Sequence, residues 1–296
     1  MKKHTLRAIP VDDVSVQTAR PTESKLSTLD LAVGTSVALP SNFVFYNFKD
    51  LYIKPFKTLH LAKLIKAQQE QSPSHLAEVV DSVLSTSSGE TGLAFKLTHP
   101  DYMWVLYWLR LNSFSKFEYI VKGTCNNPKH IEQVKSGKLD KKTLKISSKV
   151  TKSVLDCTML PEDFKVDISE YLPQDIELPP GFTLSVPVYQ DIIDMADDPN
   201  MLYQGKGGQT EEQEYNAAYM YQATPALLMK WPGATWKQRF DFAGELSPDD
   251  YMRVGEYANS IPDYGIKETV ELTCGVCGAK RKVLSYVDAR SFFHTA

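Results

Sequence analysis

Residues 271–282 read ELTCGVCGAKRK, and the pair Cys274–Cys277 with Gly278 directly behind it restricts the folds open to this chain more than any other stretch. A C-x-x-C at a tight turn puts both sulfurs on one side, and a following glycine lets backbone amides turn toward the thiolates. A tetrahedral structural zinc needs two more ligands, usually delivered by a second chain segment. The fold must then carry that segment to residue 274. A redox dithiol is the weaker reading, because redox C-x-x-C pairs open a helix and this one leads into a lysine-rich strand. A metal-free turn is the plain alternative.

A matching frame occurs earlier in the chain. V-K-G-T-C at 121–125 and V-E-L-T-C at 270–274 share their outline, and each half also has a proline-ended strand leading into a helix, YIKPFKTLHLAKL and LSVPVYQDIIDMA. These echoes suggest a weak internal duplication. Where the second frame has Cys277 the first has Pro128, with His130 two positions on. If the two knuckles face each other, Cys125 is the third ligand and the fourth is His130 or Cys157. His130 is preferred, since Cys157 lies in the apolar run VLDCTML, typical of a buried free cysteine; a histidine among lysines can also be merely solvated. The expected metal ligands are therefore Cys125, His130, Cys274 and Cys277, with zinc as a structural cofactor. A catalytic zinc would need an open position and a carboxylate base. The six histidines contain no H-x-x-x-H pair, and no catalytic residue is assigned.

At 296 residues and 33.4 kDa, with 43% hydrophobic and 23% charged residues, the chain has an ordinary globular composition. A net charge of -3 argues against a generally basic nucleic-acid binder. Four cysteines in this length do not form a secreted disulfide framework and suit a reduced compartment. The opening MKKHTLRAIPVDD has no apolar run behind it, so no signal peptide is expected. The most apolar run, Tyr102 to Leu109, stops at Arg110, well short of the ~20 residues of a membrane span.

The expected organisation has three parts: an extended or disordered arm over 1–38, an N-terminal α+β half over 39–160, and a C-terminal half over 161–296. Phe43 and Phe45, then Leu51–Ile53, alternate as two strands. Thr58 caps a helix that runs through Gln69, with Leu59, Ala62 and Ile65 on one face. A second helix follows Pro73 with Ser74 as cap and a stripe of Leu76, Val79, Val80 and Leu84. A third starts near Pro100–Asp101, carries Trp104, Leu106, Trp108 and Leu111, and is apolar nearly all round, as a central helix would be. A strand from Phe117 to Val121 runs toward Cys125. Lys129–Lys152 holds eight lysines against Glu132 and Asp140, with strands expected around 144–146 and 154–155. Leu178–Val188 reads as strands, and a helix runs from Gln190 to Ala196. The segment 197–214 reads as a mobile loop. A helical block follows: 211–223, a new helix at Pro225 capped by Thr224, one marked by Trp236, Phe240 and Ala243, and one opened by Ser247. Strands around 270–272 and 283–286 and a tail with Phe292 and Phe293 close the chain. The fold class is α+β: short mixed strands and helical blocks in two weakly duplicated halves joined by a zinc-knuckle-like clasp.

Other signals carry less. QGKGGQT at 204–210 lacks the spacing of a phosphate loop. His60, His75 and His99 are scattered over separate elements without a nucleophile or paired carboxylate, so they read as surface or cap residues. The lysines at 129–152 beside a knuckle are the best case for nucleic acid, but few aromatics interleave them. Trp104 and Trp108 read as core. Tyr215, Tyr219 and Tyr221 also read as core, although tyrosine-rich helices favour protein interfaces.

Read together, the motifs have a familiar order. LPSNFVFYNFKDLYIKPFKTLHLAKL gives an L-P-S opening, two strands and a helix; YWLRLNSF and a cysteine knuckle follow. Then come LPPGFTLSVPVYQDIIDM, a helical block, and GIKETVELTCGVCG through SFF. Over roughly residues 38–294 the chain resembles the baseplate hub subunit family of T4-like contractile-tailed bacteriophages. That resemblance implies a tail protein that is not an enzyme, contacts other tail and baseplate proteins, and is located in the virion baseplate and, during assembly, the host cytoplasm. It implies a C-x-x-C at each knuckle, a pattern from which this chain departs at Pro128. The rival reading is a zinc-ribbon nucleic-acid-binding protein of a viral or bacterial transcription system; a metal-dependent hydrolase is disfavoured by the missing base.

Overall fold

A computed structural model describes residues 34–70, 72–114, 119–150, 157–198, 209–266 and 269–284. Among them helices alternate with short antiparallel strands in an α+β arrangement. Strands β1 (Thr35–Val37), β2 (Leu51–Ile53) and β3 (Leu84–Ser85) form a three-stranded sheet in that order. Ordered structure thus begins inside the expected arm, whose residues 1–33 lie outside the described residues. The strand expected at Phe43 and Phe45 is a turn instead. Asn42, Val44 and Tyr46 amides bond back to Leu39, Ser41 and Phe43, and Asn42 and Phe43 have φ of 49° and 60°. A buried carboxylate explains the turn. Asp101, fully buried, accepts from the Ser41 amide at 3.0 Å, from the Tyr46 hydroxyl and from Thr98 Oγ1 at 3.1 Å. Burial raises the Asp101 pKa above its ordinary value, while these donors oppose the shift.

Four helices follow: α1 (Thr58–Gln69), α2 (Pro73–Asp81), α3 (Leu93–Lys96) and α4 (His99–Ser113). The face of α1 is opposite to the one expected. Leu59 and Ile65 are 59% and 55% exposed, whereas Leu64 and Ala67 are buried. On a 3.6-residue helix the two sets lie on opposite sides, and α1 packs on α2 through the shorter apolar stripe. The cap of α2 is Ser72, whose Oγ accepts from the His75 amide at 3.2 Å, not Ser74. As expected, α4 is central, with Tyr102, Val105, Leu106, Tyr107 and Leu109 all buried.

A second apolar cluster is built mainly by α7 (Gln209–Leu228), α8 (Trp236–Gly244) and α9 (Pro248–Ser260), and α6 (Tyr189–Ala196) bridges the two, with Tyr189 and Ile193 in the first cluster and Met195 packed on the second. No break occurs at Thr224–Pro225: α7 runs through Pro225. The proline lies near the end of the helix and is buried in the cluster, so it removes one amide bond without ending the packed face. Helix α7 also begins before the expected end of the 197–214 loop, of which residues 199–208 lie outside the described ones. Asp191 ties α6 to α8: its Oδ2 accepts from the Val188 amide at 2.8 Å, and its Oδ1 pairs with Arg239 at 2.9 Å and with Lys230. Between 178 and 188 the only strand is β7 (Thr183–Leu184), paired with β8 (Met229–Lys230); β6 (Cys157–Thr158) pairs with β9 (Gly265–Ile266).

Two hairpins complete the architecture. Strand β4 (Tyr119–Thr124) pairs with β5 (Lys145–Val150), and β10 (Thr269–Thr273) pairs with β11 (Lys280–Leu284). Between β4 and β5 lie α5 (Pro128–Lys135), a helix not expected from the sequence, and a 3-10 turn over Lys141–Leu144. The hairpins pack face to face at Gly123, where a Cβ would stand 2.7 Å from Leu272 Cδ1. Leu272 and Cys274 are buried in the first cluster beside Val121, Cys125 and Ile146. The cores therefore do not divide at residue 161, because the last hairpin returns to the first cluster. The expected strand residues 154–155, Tyr286 and the Phe292–Phe293 tail lie outside the described residues.

Candidate metal centre

Strand β4 ends at Thr124, and the Cys125 amide donates to the Leu144 carbonyl at 2.8 Å, fixing the first thiol at the hairpin mouth. The chain then enters α5 through a side-chain cap: Asn127 Oδ1 accepts from the Lys129 amide at 3.0 Å, with Pro128 in the first turn. Asn followed by Pro is a helix-start signal, and it could have revealed α5 in the sequence. One turn of this helix carries His130 inward, where it is 1% exposed.

The imidazole is oriented from behind. His130 Nε2 lies 3.0 Å from Thr143 Oγ1, and the Thr143 hydroxyl donates to the Asp140 carbonyl at 2.6 Å. Thr143 has spent its proton, so it accepts from Nε2–H and leaves the Nδ1 lone pair facing the cluster. Nδ1 lies 3.5 Å from Cys274 Sγ. Thr143 escaped the sequence reading, because it becomes a neighbour of His130 only through the 3-10 turn that Asp140 caps.

The second knuckle closes on itself. The Cys274 amide donates to Ala279 O and the Gly278 amide to Cys274 O, both at 2.9 Å, and Gly278 takes φ +68°. The Cys277 and Val276 amides donate to the Cys274 sulfur and lower its pKa to about 6 against burial. Burial instead raises Cys125, which the Asn127 amide only partly offsets. Cys125 and Cys277 sulfurs are 3.5 Å apart.

One ligand atom from each of Cys125, His130, Cys274 and Cys277 falls in a group within 4.8 Å of one another; the first three residues are buried and Cys277 is exposed. The structure thus gathers the four expected ligands from two hairpins. Cys157 is elsewhere: it lies in β6 opposite Ile266, with its thiol 3.8 Å from Met159 Sδ. Three sulfurs and one imidazole suit a thiophilic metal ion. The H-x-E spacing of His130 and Glu132 also occurs in hydrolytic zinc sites, where the acid moves the proton. Here Glu132 is exposed and lies outside the ligand group. The other histidines among the described residues do not converge on it: His60 Nδ1 accepts from the Lys57 amide at 2.8 Å, His75 pairs with Glu70 at 2.7 Å, and His99 is stacked on Tyr189. The tyrosines of α7 enter the second cluster through Tyr219, while Tyr221 is 66% exposed. No helix among the described residues is long and apolar enough to cross a membrane. No protein-family model, curated protein or solved structure matches the chain.

Proposed function

We propose that this protein is a structural or assembly component of a contractile phage tail baseplate, in the hub region, and that it acts through protein–protein contacts around a zinc clasp. One observation carries the clasp: all four ligand atoms lie within 4.8 Å of one another. Zinc at 2.3 Å from sulfur and about 2.0 Å from nitrogen gives ligand–ligand edges of about 3.5–3.8 Å. The Cys125–Cys277 and Cys274–His130 separations are both 3.5 Å. Four protein ligands would fill the tetrahedron of a bound zinc and leave no position there for a substrate or water, which supports a structural and not a catalytic role for the metal.

The tail reading rests on the order of motifs, from LPSNF to C-x-x-C-G, and on the clasp occurring where the family places its paired knuckles. In this reading β4–β5 and β10–β11 are diverged copies of one hairpin, and α5 with His130 stands in for the cysteine lost at Pro128. Several copies occupy the baseplate, and assembly takes place in the host cytoplasm. Lysines around the clasp favour the rival nucleic-acid reading, but the segments 125–150 and 269–284 that carry them contain no Phe, Tyr or Trp on which a base could stack.

Two experiments test the proposal. Metal analysis of the purified protein is expected to give about one zinc per chain; a folded protein without zinc overturns the clasp. Blocking synthesis of the protein during infection is expected to yield tails without complete baseplates under the electron microscope. Normal infectious particles would overturn the tail assignment.

A further inference from the structure

The clasp lobe segregates charge. Its segments 125–150 and 269–284 carry ten lysines and arginines against Glu132, Asp140 and Glu271. The whole chain has 33 basic and 36 acidic residues, which leaves 23 basic against 33 acidic elsewhere. All ten basic side chains of the lobe are exposed. Lys138, Lys141 and Lys142 stand on the turn between α5 and β5, and Lys145 and Lys149 share the outer face of β5. Lys280, Arg281 and Lys282 add three more on β11, where Lys280 is paired with Glu271 at 2.8 Å and Arg281 donates to the Thr124 carbonyl at 2.9 Å. Without aromatics the lobe reads charge and shape, not bases.

A complementary surface lies on the second cluster. Asp194, Asp197, Asp198 and Asp241 rim a groove of about 670 Å³ with Trp236 and Phe240 in its wall. Trp236 Nε1 and the Tyr219 hydroxyl donate to Asp198 Oδ2 at 2.9 and 3.1 Å, which holds that carboxylate in place. Lys237 also lines the groove and is paired with Asp241 at 3.0 Å. Such a groove suits a lysine side chain: the ammonium meets carboxylates and the methylenes lie along the rings.

We infer that the lysine turn at 138–142 of one copy docks in the aspartate-rimmed groove of a second copy, head to tail. Both halves of the complementarity belong to one chain whose net charge is only -3. The contact joins two different surfaces, so it propagates into a ring or a filament and does not stop at a two-fold dimer. It is steered by charge and weakened by salt. It is independent of the tail assignment, and its test uses purified protein alone.

Sedimentation velocity of the full-length, zinc-loaded protein is expected to show concentration-dependent association at about 0.05 M salt and monomers at about 0.5 M. The variant Lys138→Glu/Lys141→Glu/Lys142→Glu should stay monomeric at low salt, as should Asp197→Lys/Asp241→Lys. An equimolar mixture of the two should associate again, because the basic turn of one meets the unaltered groove of the other. Circular dichroism and zinc content check that both remain folded, and Lys→Gln replacements at the same three positions should weaken association in the same direction. A wild-type protein that is monomeric at low salt overturns the inference. So does a reversed variant that self-associates like the wild type, or a mixture that fails to. A monomeric wild type that retards duplex DNA, with the effect lost on lysine reversal, would assign the turn to nucleic acid instead.

Discussion

Thr143 decides which nitrogen His130 presents to the three sulfurs. Replacing it with valine keeps the shape but removes the acceptor that fixes the tautomer. Loss of such a partner typically weakens metal binding about 10–100-fold. Competition against a chromophoric chelator should show this for Thr143→Val with an unchanged circular dichroism spectrum; equal affinities would remove Thr143 from the centre. Cys274→Ser should cost more than Cys277→Ser, because Cys274 is buried and its sulfur receives two backbone amides, whereas Cys277 is exposed. The same chelator assay ranks them. His99 is a separate residue-scale case. Burial lowers its pKa from 6.5, so the unfolded chain takes up a proton first as pH falls. The stability held above about pH 6.5 is then lost as pH falls through the folded value. Urea midpoints between pH 8 and pH 5 should fall less steeply for His99→Gln than for the wild type, and parallel curves would refute the assignment.

At the scale of elements, the meeting of the two hairpins depends on an absent side chain. Gly123→Val should cost about 1–3 kcal/mol by overpacking against Leu272, and Leu272→Ala on that background should recover part of the loss. A double-mutant cycle by urea denaturation measures the coupling; strict additivity would mean the hairpins adjust freely. Helix α1 offers a sharper contrast. Leu64→Ala should cost about 2–5 kcal/mol, while Leu59→Gln on the exposed side should stay within about 0.5 kcal/mol. This helix also shows what the sequence could and could not tell. Its extent was legible to within a residue from Thr58 and Gln69, but apolar residues occur on both of its sides, and only the neighbouring α2 decides which side is buried. The cluster of Cys125, His130, Cys274 and Cys277 was legible because sulfur and imidazole at knuckle spacing have few other uses. The turn at 41–46 was not, since its aromatic alternation imitates a strand and the cause, Asp101, is remote in sequence. The missing break at Pro225 has a similar origin, as tertiary packing outweighs one lost amide bond.

For the whole molecule, the Cys/His cluster joins the mouth of the β4–β5 hairpin to the β10–β11 hairpin, so removal of the proposed metal should act on the first apolar cluster before the second. Structural zinc is worth about 10 kcal/mol in apparent folding energy. A strong chelator should therefore increase amide exchange in β4, β5, α4 and β10 while α8 and α9 keep their protection. Uniform deprotection would mean that the two clusters unfold as one unit. The placement of Leu272 and Cys274 has a further effect during synthesis. The first cluster, begun near residue 37, lacks its last wall until the β10–β11 hairpin has left the ribosome. A nascent chain must hold an unfinished apolar surface through most of its translation, with the second cluster free to close in the meantime. A chaperone that shields the β4–β5 face is most useful in that interval, and a chain released before residue 269 would expose that face permanently to quality control.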